Sequence, residues 1–249
     1  MWKLVKKGFH ILYAVYAFII FCLLFIIFLP AFLVPIYIPS KHSWVGSINR
    51  IWAYCFFTLI FIPITVEMRF RPAKGRRYIF CPNHFSYLDI PAMGLNPVNA
   101  IFVGKNDMEK IPLFGYMYKK LHITVNRMSV KSRYETLIRA GEAIDGGKSL
   151  TIFPEGGIIT EEPPVMARFK DGAFRTAIEK QIEIVPVTIP YNWIILPDST
   201  FLPIRHRMKV IFHEPIPTAG MTLAETGTLR ENTYRIIEEE LKNQMHEDR

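Results

Sequence analysis

A histidine and an aspartate five positions apart, His84 and Asp89, are the residues of this chain best suited to acid–base chemistry. Imidazole can accept a proton near neutral pH, so a histidine beside a hydroxyl group can act as its general base. A carboxylate on the other ring nitrogen fixes the tautomer and stabilises the imidazolium that forms. The pair therefore predicts a site that deprotonates an acceptor hydroxyl, as ester formation requires.

The spacing restricts how such a pair can meet. On a continuous α-helix, residues i and i+5 point about 140° apart, so the two side chains would diverge. They can meet if His84 precedes the helix or lies in its first turn. Pro82 and Asn83 favour a helix start there, directly after the apolar run 78–81. We therefore expect a strand, then a turn that carries His84, then a helix.

The same segment allows other interpretations. Ser86 lies between the pair and would suit a serine hydrolase, but no Gly-x-Ser-x-Gly elbow surrounds it. Cys81 and His84 are close enough in sequence for a nucleophilic pair, although a cysteine at the end of an apolar strand is usually a packing residue. The remaining interpretation is a surface histidine near an aspartate, with no chemical role.

A second candidate site is the stretch Phe153-Pro154-Glu155-Gly156-Gly157, which follows an apolar run. In α/β proteins, ligands bind beyond the carboxyl ends of strands. The glycines allow close approach of the backbone, and Glu155 could accept a hydrogen bond from a second hydroxyl of the acceptor. The alternative is a solvated glutamate in a glycine-rich turn.

Short β-rich runs alternate with helical segments after residue 69, and these are the elements that must position both sites. The expected strands cover residues 78–81, 100–103, 123–125, 149–153, 182–189 and 208–212. The expected helices cover residues 86–95, 107–120, 129–145 and 168–180, with an amphipathic helix over about 223–246. This alternation predicts an α/β fold with a central mixed sheet flanked by helices.

The first 65 residues differ from the rest of the chain. An apolar run over residues 11–38 is long enough to span a membrane, and a second run covers residues 51–65. Pro30 and Pro35 predict a break in the helix between the runs. We expect a membrane-associated helical hairpin over residues 1–65, which either spans the membrane twice or lies shallowly in one leaflet, and a second domain over residues 66–249. The alternative is that residues 51–65 form a core helix.

The charged residues before the first apolar run predict on which side of the membrane the N-terminus lies. Lys3, Lys6 and Lys7 precede the first apolar run and predict that this end stays on the cytoplasmic side. No small-residue cleavage site follows, which indicates a retained anchor. The net charge of +8 favours anionic partners, and with this apolar N-terminus it favours anionic membrane lipid over nucleic acid, for which no module signature is present. The three cysteines lack metal-ligand spacing, so we expect no metal site.

Both candidate sites carry the motifs of a known family. Asn83-His84 through Asp89 resembles the N-H-x4-D block of the glycerolipid acyltransferase superfamily, and Phe153-Pro154-Glu155-Gly156 is similar to its F-P-E-G block. Val185-Pro186-Val187 and Phe169-Lys170-Asp171-Gly172 resemble later blocks. Gly104, Lys105, Pro112, Gly115 and Arg127 fall where the family has a basic second block. The resemblance covers about residues 67–212 and is closest to the bacterial 1-acylglycerol-3-phosphate acyltransferases.

The resemblance implies a function and roles. It implies transfer of an acyl group from an acyl carrier protein or coenzyme A thioester to the free hydroxyl of a lysophospholipid acceptor, 1-acylglycerol-3-phosphate, at the cytoplasmic face of a bacterial inner membrane. No cofactor is implied. His84 would be the general base and Asp89 its orienting partner, Glu155 and Gly156 would hold the acceptor, and Lys105 and Arg127 would bind its phosphate. The acyl chain would lie in the bilayer or in a groove lined by residues such as Phe80, Ile101 and Phe153.

One departure from the family affects the acceptor. After Glu155 and Gly156 the family has a Thr or Ser and then an Arg, whereas this chain has Gly157, Ile158 and Ile159. Either Lys170 or Arg168 replaces the missing cation, or the acceptor is another lyso-lipid such as a lyso-ornithine or lyso-glycine lipid. A non-catalytic lipid-binding membrane protein and a hydrolase are the remaining hypotheses.

Overall fold

The computed structural model of the chain describes residues 2–126 and 128–247. They form one sheet with helices on both faces, preceded by two apolar helices. The strands are β1 (Ile64–Met68), β2 (Tyr78–Pro82), β3 (Ala100–Lys105), β4 (Ile123–Val125), β5 (Ser149–Ile152), β6 (Glu183–Thr188) and β7 (Met208–Phe212). The helices are α1 (Trp2–Tyr37), α2 (Trp44–Leu59), α3 (Asp89–Met93), α4 (Phe114–Leu121), α5 (Val130–Asp145), α6 (Gly172–Glu179), α7 (Asn192–Ile195) and α8 (Thr226–Glu247).

The seven strands form a mixed sheet in the order β1-β7-β6-β2-β5-β3-β4. Strands β6, β2, β5, β3 and β4 are parallel neighbours, while β7 runs antiparallel to β6 and pairs in parallel with β1. The predicted α/β fold with a mixed sheet is therefore confirmed. The carboxyl ends of the five parallel strands meet at one edge, which we call the carboxyl edge.

Six strands coincide with the sequence predictions to within a few residues, but β1 was not predicted. The apolar run 51–65 is in fact the end of α2, a turn and the first residues of β1. Because apolar residues continue from α2 through the turn into β1, the hydrophobic pattern changes too little to show where the helix ends. Since β1 begins at Ile64, the predicted division into residues 1–65 and 66–249 falls inside this strand.

Two apolar clusters cover the two faces of the sheet. One contains residues of α2, β1, β2, β6 and β7, and α1 packs against it. The other contains residues of α5, α6 and α8, so the C-terminal helix buries its apolar face on the sheet. Thr151 of β5 pairs with Phe80 of β2 on one side and with Phe102 of β3 on the other, so these three side chains lie on the same face of the sheet. Ile101, the neighbour of Phe102 along β3, therefore points to the opposite face. Phe80 and Ile101 therefore belong to different clusters, and the predicted groove with both in its wall is wrong.

Helix α1 passes through Pro30 and Pro35 and ends only at Tyr37, so the predicted break at the prolines is wrong. Each proline lacks one backbone N–H, but an apolar helix packed against neighbours tolerates that loss. The second half of α1 has such neighbours, since Phe25 packs on Phe114 of α4 with ring centroids 5.8 Å apart.

The two N-terminal helices pack against each other. Phe21 of α1 meets Trp52 of α2 edge to face, with ring centroids 5.3 Å apart. Within the described residues, α1 alone is long and apolar enough to cross a membrane, over Lys6–Tyr37. Helix α2 has 16 residues and buries one face in the cluster that covers the sheet.

Candidate active site

The His84 and Asp89 side chains meet at the carboxyl edge. Strand β2 ends at Pro82 and α3 begins at Asp89, so His84 lies in the turn between them, as the spacing predicted. His84 Nδ1 is 3.0 Å from Asp89 Oδ2. Because a carboxylate has no proton to give, Nδ1 carries the hydrogen and donates it. The ring nitrogen Nε2 is then the basic one.

The Asp89 carboxylate is fully buried and receives further hydrogen bonds. The backbone N–H groups of Phe85 and Ser86 donate to Oδ2 at 2.8 and 2.9 Å. The amide nitrogen of Asn192 donates to Oδ1 at 3.0 Å. Together with the histidine this makes four donors to one carboxylate, which stabilises its charged form and fixes its position.

The His84 ring is held from a second side by Phe153. The two rings stack with centroids 4.1 Å apart and an angle of 25° between their planes. The histidine side chain is 11% exposed. In the part of the chain that the structure describes, Nε2 has no hydrogen-bond partner. The nitrogen that is able to take a proton is therefore not engaged by the protein.

Glu155 joins the two motifs through the backbone. Its Oε1 accepts the N–H of His84 at 2.6 Å, and its Oε2 accepts the N–H of Ala167 at 2.9 Å. The side chain is fully buried. Burial raises the pKa of Glu155 to about 8, against the two backbone hydrogen bonds, which lower it. Both oxygens thus fix the protein backbone around His84, and the predicted contact of Glu155 with the acceptor stays a prediction.

Asn83 and Asn192 belong to the site, and sequence reasoning gave neither a role. The side-chain amide of Asn83 donates to the Ile189 carbonyl at 3.0 Å and accepts the Ile189 N–H at 2.7 Å, which joins the ends of β2 and β6. Asn192 follows this junction at the start of α7, fully buried, where it contacts Asp89. Asn83 could have been suspected from its place beside His84, whereas no sequence signal marks Asn192.

The two alternative nucleophiles are differently placed. The Ser86 hydroxyl donates to the Leu196 carbonyl at 2.9 Å and accepts the N–H of Leu88 at 3.2 Å. Cys81 is fully buried, and burial raises the pKa of its thiol far above the usual range. Neither side chain forms a hydrogen bond with His84, so the geometry favours the histidine acting on a substrate hydroxyl.

Two of the predicted cations, Lys105 and Lys170, lie near the carboxyl edge. Lys105 ends β3 and its ammonium pairs with Asp107. Lys170 follows the loop after Glu155, and its backbone N–H donates to the Pro154 carbonyl at 2.8 Å. Gly156 has a φ of +82°, which favours glycine, and the Lys170 side chain lies over it, since a Cβ there would lie 2.8 Å from Lys170 Cε.

Arg168 and Arg127 are the two remaining predicted cations. Arg168 lines a cavity of about 430 Å³ with Arg230, Glu231 and Tyr234 beside α8. Of the two proposed replacements for the missing arginine, Lys170 is therefore the one that lies against the glycine loop. Arg127, the other predicted phosphate ligand, lies outside the described residues. No group of three or more metal-ligating side chains occurs in residues 2–126 and 128–247.

Several known proteins resemble this chain over the region of the site. A 1-acyl-sn-glycerol-3-phosphate acyltransferase from Chlamydomonas reinhardtii is 27% identical over 68% of this chain and 51% of its own length. A chloroplastic enzyme of the same name from Arabidopsis thaliana is 26% identical over 72% of this chain and 50% of its own. The chain thus spans about half the length of these relatives.

A bacterial relative is named for a different acceptor. The lyso-ornithine lipid O-acyltransferase of Pseudomonas aeruginosa is 27% identical over 66% of this chain and 69% of its own length. The crystal structure of the 1-acyl-sn-glycerophosphate acyltransferase PlsC from Thermotoga maritima has the same fold, with a TM-score of 0.80 over 96% of this chain and 98% of that one, at 22% identity.

The match to a family model covers the site itself. The model described as Acyltransferase matches residues 63–190, which is 128 of the 249 residues. This stretch begins just before β1 and contains His84, Asp89 and Glu155. More than half of the sequence and the whole of the His84–Asp89–Glu155 arrangement are thereby accounted for, and the chain belongs to the acyltransferase family.

Proposed function

We propose that this protein is a membrane-bound O-acyltransferase that moves an acyl chain from a thioester to the free hydroxyl of 1-acylglycerol-3-phosphate and so forms phosphatidate. The observation that carries the proposal is the hydrogen bonding of the two ring nitrogens of His84. Its Nδ1–H is engaged by a buried carboxylate, and its Nε2 has no hydrogen-bond partner among the described residues. This is the arrangement that a general base for a hydroxyl group needs.

The proposed reaction has one proton carrier and no covalent enzyme intermediate. His84 Nε2 takes the proton as the acceptor oxygen attacks the thioester carbonyl carbon. The tetrahedral intermediate collapses with cleavage of the carbon–sulfur bond, and the thiolate receives the proton from Nε2. Asp89 stabilises the transient imidazolium without taking its proton. The products are the ester and the free thiol, and no cofactor is consumed.

The acceptor phosphate is proposed to bind to Lys170, Lys105 and Arg127. Two or more cations at one edge suit the charge of a phosphomonoester. Lys170 supplies the charge that the family has on the arginine of the glycine loop, since its side chain lies over Gly156. Asp107 competes for Lys105, so the phosphate must displace that exposed ion pair.

Membrane binding is proposed to occur through α1, which exposes one apolar face. Nine large apolar residues of its first three quarters are exposed: Phe9, Ile11, Leu12, Val15, Phe18, Ile19, Leu23, Ile26 and Ile27. The apolar span of 32 residues is about 48 Å long, more than the hydrocarbon thickness of about 30 Å. We place the catalytic domain at the cytoplasmic face of a bacterial inner membrane, where acyl thioesters are available. Helix α1 is then expected to lie in the cytoplasmic leaflet, because a single crossing from a cytoplasmic N-terminus would place the domain on the opposite side.

The acceptor is tested by offering labelled acyl coenzyme A and acyl carrier protein thioesters with a panel of lyso-lipids. The panel holds 1-acylglycerol-3-phosphate, a lyso-ornithine lipid, a lyso-glycine lipid and a sample without acceptor. We expect the phosphate acceptor to have a kcat/KM at least about tenfold above the others, as the loss of one charge-assisted contact would predict. Fatty acid release without an acceptor would indicate a hydrolase, and vesicle binding without turnover a lipid-binding protein.

A lyso-aminolipid acceptor is the second candidate. Gly157 and Ile158 stand where the family has a polar residue and an arginine, and the relative from Pseudomonas aeruginosa is named for a lyso-ornithine lipid. The variant Lys170→Gln separates the two. We expect it to raise KM for the phosphate acceptor about tenfold with little change in kcat, while Lys131→Gln, an exposed lysine on α5, leaves KM unchanged. Unchanged KM in both variants would contradict phosphate binding by Lys170.

Asn192 is expected to position Asp89. In the variant Asn192→Ala the carboxylate loses the donor to Oδ1 but keeps its contact with His84. We expect kcat to fall about 10-fold with KM unchanged, because only the orientation of the base is affected. The pH dependence of kcat/KM should also shift, since Asp89 would stabilise the imidazolium less well. A loss of folded protein without any change in the pH profile would indicate a structural role alone.

The buried Glu155 makes a prediction about stability and pH. Its pKa is raised to about 8 in the folded protein from 4.5 in an exposed group. Between these values the folded protein holds a proton that the unfolded chain has released, so this group makes folding less favourable as pH rises. The variant Glu155→Gln cannot titrate there. We expect the melting temperature of the wild type to fall relative to that of the variant from about pH 5 to about pH 8; a constant difference would show that Glu155 is ionised throughout.

A further inference from the structure

A second cavity lies at the amino ends of the parallel strands, whereas the active site lies at their carboxyl ends. It has a volume of about 320 Å³ and lies between the end of α4, the start of β4, the second half of α5 and the residue before β5. Its lining includes Lys119, Lys120, Arg139 and Lys148, and one carboxylate, Glu142. None of these side chains takes part in the proposed reaction.

The charges around this cavity are unbalanced. Lys119 has a carboxylate partner, Glu109, at 3.6 Å. Lys120 lies 5.9 Å from the centre of the Tyr116 ring, and Arg139 donates to the Thr124 carbonyl at 3.4 Å, so neither is neutralised by these contacts. Cations gathered around a concave surface repel one another and attract an anion.

Helix ends explain only part of this cluster. Lys119 and Lys120 lie in the last turn of α4, where a cation interacts favourably with the helix dipole. Arg139 lies in the middle of α5, and Lys148 lies outside any helix. Lys148 is half-buried, and burial lowers its pKa. An anionic ligand would remove the cost of keeping this ammonium charged.

A buried histidine supplies a neutral donor in the same cavity. His122 is 8% exposed and lines the cavity. Its Nδ1 accepts the N–H of Phe102 at 3.2 Å, so Nε2 carries the hydrogen. Burial lowers the pKa of His122 to about 3, so the ring is neutral. Within the described residues, Nε2–H has no acceptor. A cavity with several cations and an unused N–H donor suits a phosphate group.

The position of the cavity indicates where the phosphate comes from. The turn between α1 and α2 is adjacent, since His42 in that turn is close enough to lower the pKa of His122. Tyr37 and Trp44 flank the turn and are exposed, and the ammonium of Lys41 lies 4.8 Å from the centre of the Trp44 ring. Exposed aromatic side chains and lysines at the ends of apolar helices are typical of the membrane–water interface.

We propose that this cavity binds the phosphate headgroup of an anionic phospholipid in the membrane that holds α1. The inference rests on the proposed membrane association and not on the proposed acyl transfer. Its site is separate from the acceptor site, because His122 and Lys148 precede the strands β4 and β5, whereas His84 follows the carboxyl end of β2. The bound headgroup would fix the orientation of the domain relative to the bilayer.

The test uses the full chain in uncharged detergent micelles, with its melting temperature followed during titration with short-chain phospholipids. We expect dihexanoyl phosphatidylglycerol to raise the melting temperature saturably and dihexanoyl phosphatidylcholine to have no comparable effect. In the variant Arg139→Gln/Lys148→Gln the concentration for half-maximal effect should rise at least about tenfold. The matched control Arg235→Gln/Lys242→Gln removes the same two residue types from the exposed face of α8 and should behave like the wild type.

Three outcomes would overturn the proposal: equal responses of the two double variants, equal effects of the two lipids, or stronger stabilisation by inorganic phosphate or coenzyme A than by phosphatidylglycerol. If the first double variant does not fold, the single variant Lys120→Gln provides the same comparison at an exposed position. Sedimentation of the wild type with phosphatidylcholine vesicles tests the membrane association separately. Its failure would contradict that part of the proposed function and leave the detergent titration interpretable.

Discussion

The variant His84→Ala is expected to lose acyl transfer about 10²–10⁴-fold in kcat while remaining folded. In the proposed reaction the imidazole takes the acceptor proton on Nε2, which has no hydrogen-bond partner among the described residues. Its removal leaves positioning by the membrane and by the cations intact. The measurement is the steady-state rate of labelled phosphatidate formation in vesicles, with circular dichroism and the melting temperature as tests of folding.

A matched control separates chemistry from a general effect of losing a histidine. His246 is exposed near the end of α8, far along the chain from the site, and His246→Ala should retain the wild-type rate. Near-normal turnover in folded His84→Ala protein would show that another group is the base. A rise in KM alone, with kcat unchanged, would assign His84 to substrate binding.

The variant Asp89→Asn is expected to lose about 10³–10⁴-fold in kcat, because the tautomer of His84 depends on this carboxylate. The asparagine amide can still accept the N–H groups of Phe85 and Ser86, but it carries no negative charge and so cannot stabilise the imidazolium. If it turns its NH₂ group towards His84, it forces the hydrogen onto Nε2 and removes the base. In that orientation the buried N–H groups of Phe85 and Ser86, which share Oδ2 with His84, lose their acceptor, and each loss destabilises the protein by about 1–3 kcal/mol.

The pH profile and a control distinguish these effects. If Asp89→Asn is only less stable, kcat at a permissive temperature should recover and the pH dependence should match the wild type. We expect no recovery and an altered pH dependence. Asp198→Asn, a change of the same type at an exposed residue, should leave both unchanged. A folded Asp89→Asn variant with wild-type kcat would contradict the orienting role.

The sequence was sufficient for the parts of the site that depend on local geometry. The spacing of His84 and Asp89 allows contact only around a helix start, and the structure has the helix start at Asp89. The strands near both motifs are short apolar runs bounded by prolines and glycines, so their limits were predicted closely. Parallel strands then place both motifs at one edge.

Other features depend on contacts distant in sequence. Asn192 reaches Asp89 across 103 positions, and no local pattern marks it. The carboxylate of Glu155 binds the backbone N–H groups of His84 and Ala167, two contacts that no local pattern indicates, and its predicted contact with the acceptor stays a prediction. The proline rule failed for α1, which continues through both prolines while its second half packs against α4. Strand β1 was hidden because its apolar residues continue those of α2.

The direct transfer to a hydroxyl activated by His84 is tested most closely by an acid-quenched reaction with a labelled acyl thioester. The wild-type protein in vesicles is sampled within the first turnover, with and without 1-acylglycerol-3-phosphate. We predict that label moves from the thioester to phosphatidate only when the acceptor is present, and that the protein itself carries none. Label bound to the protein, or fatty acid released in the absence of acceptor, would contradict a general-base transfer by His84.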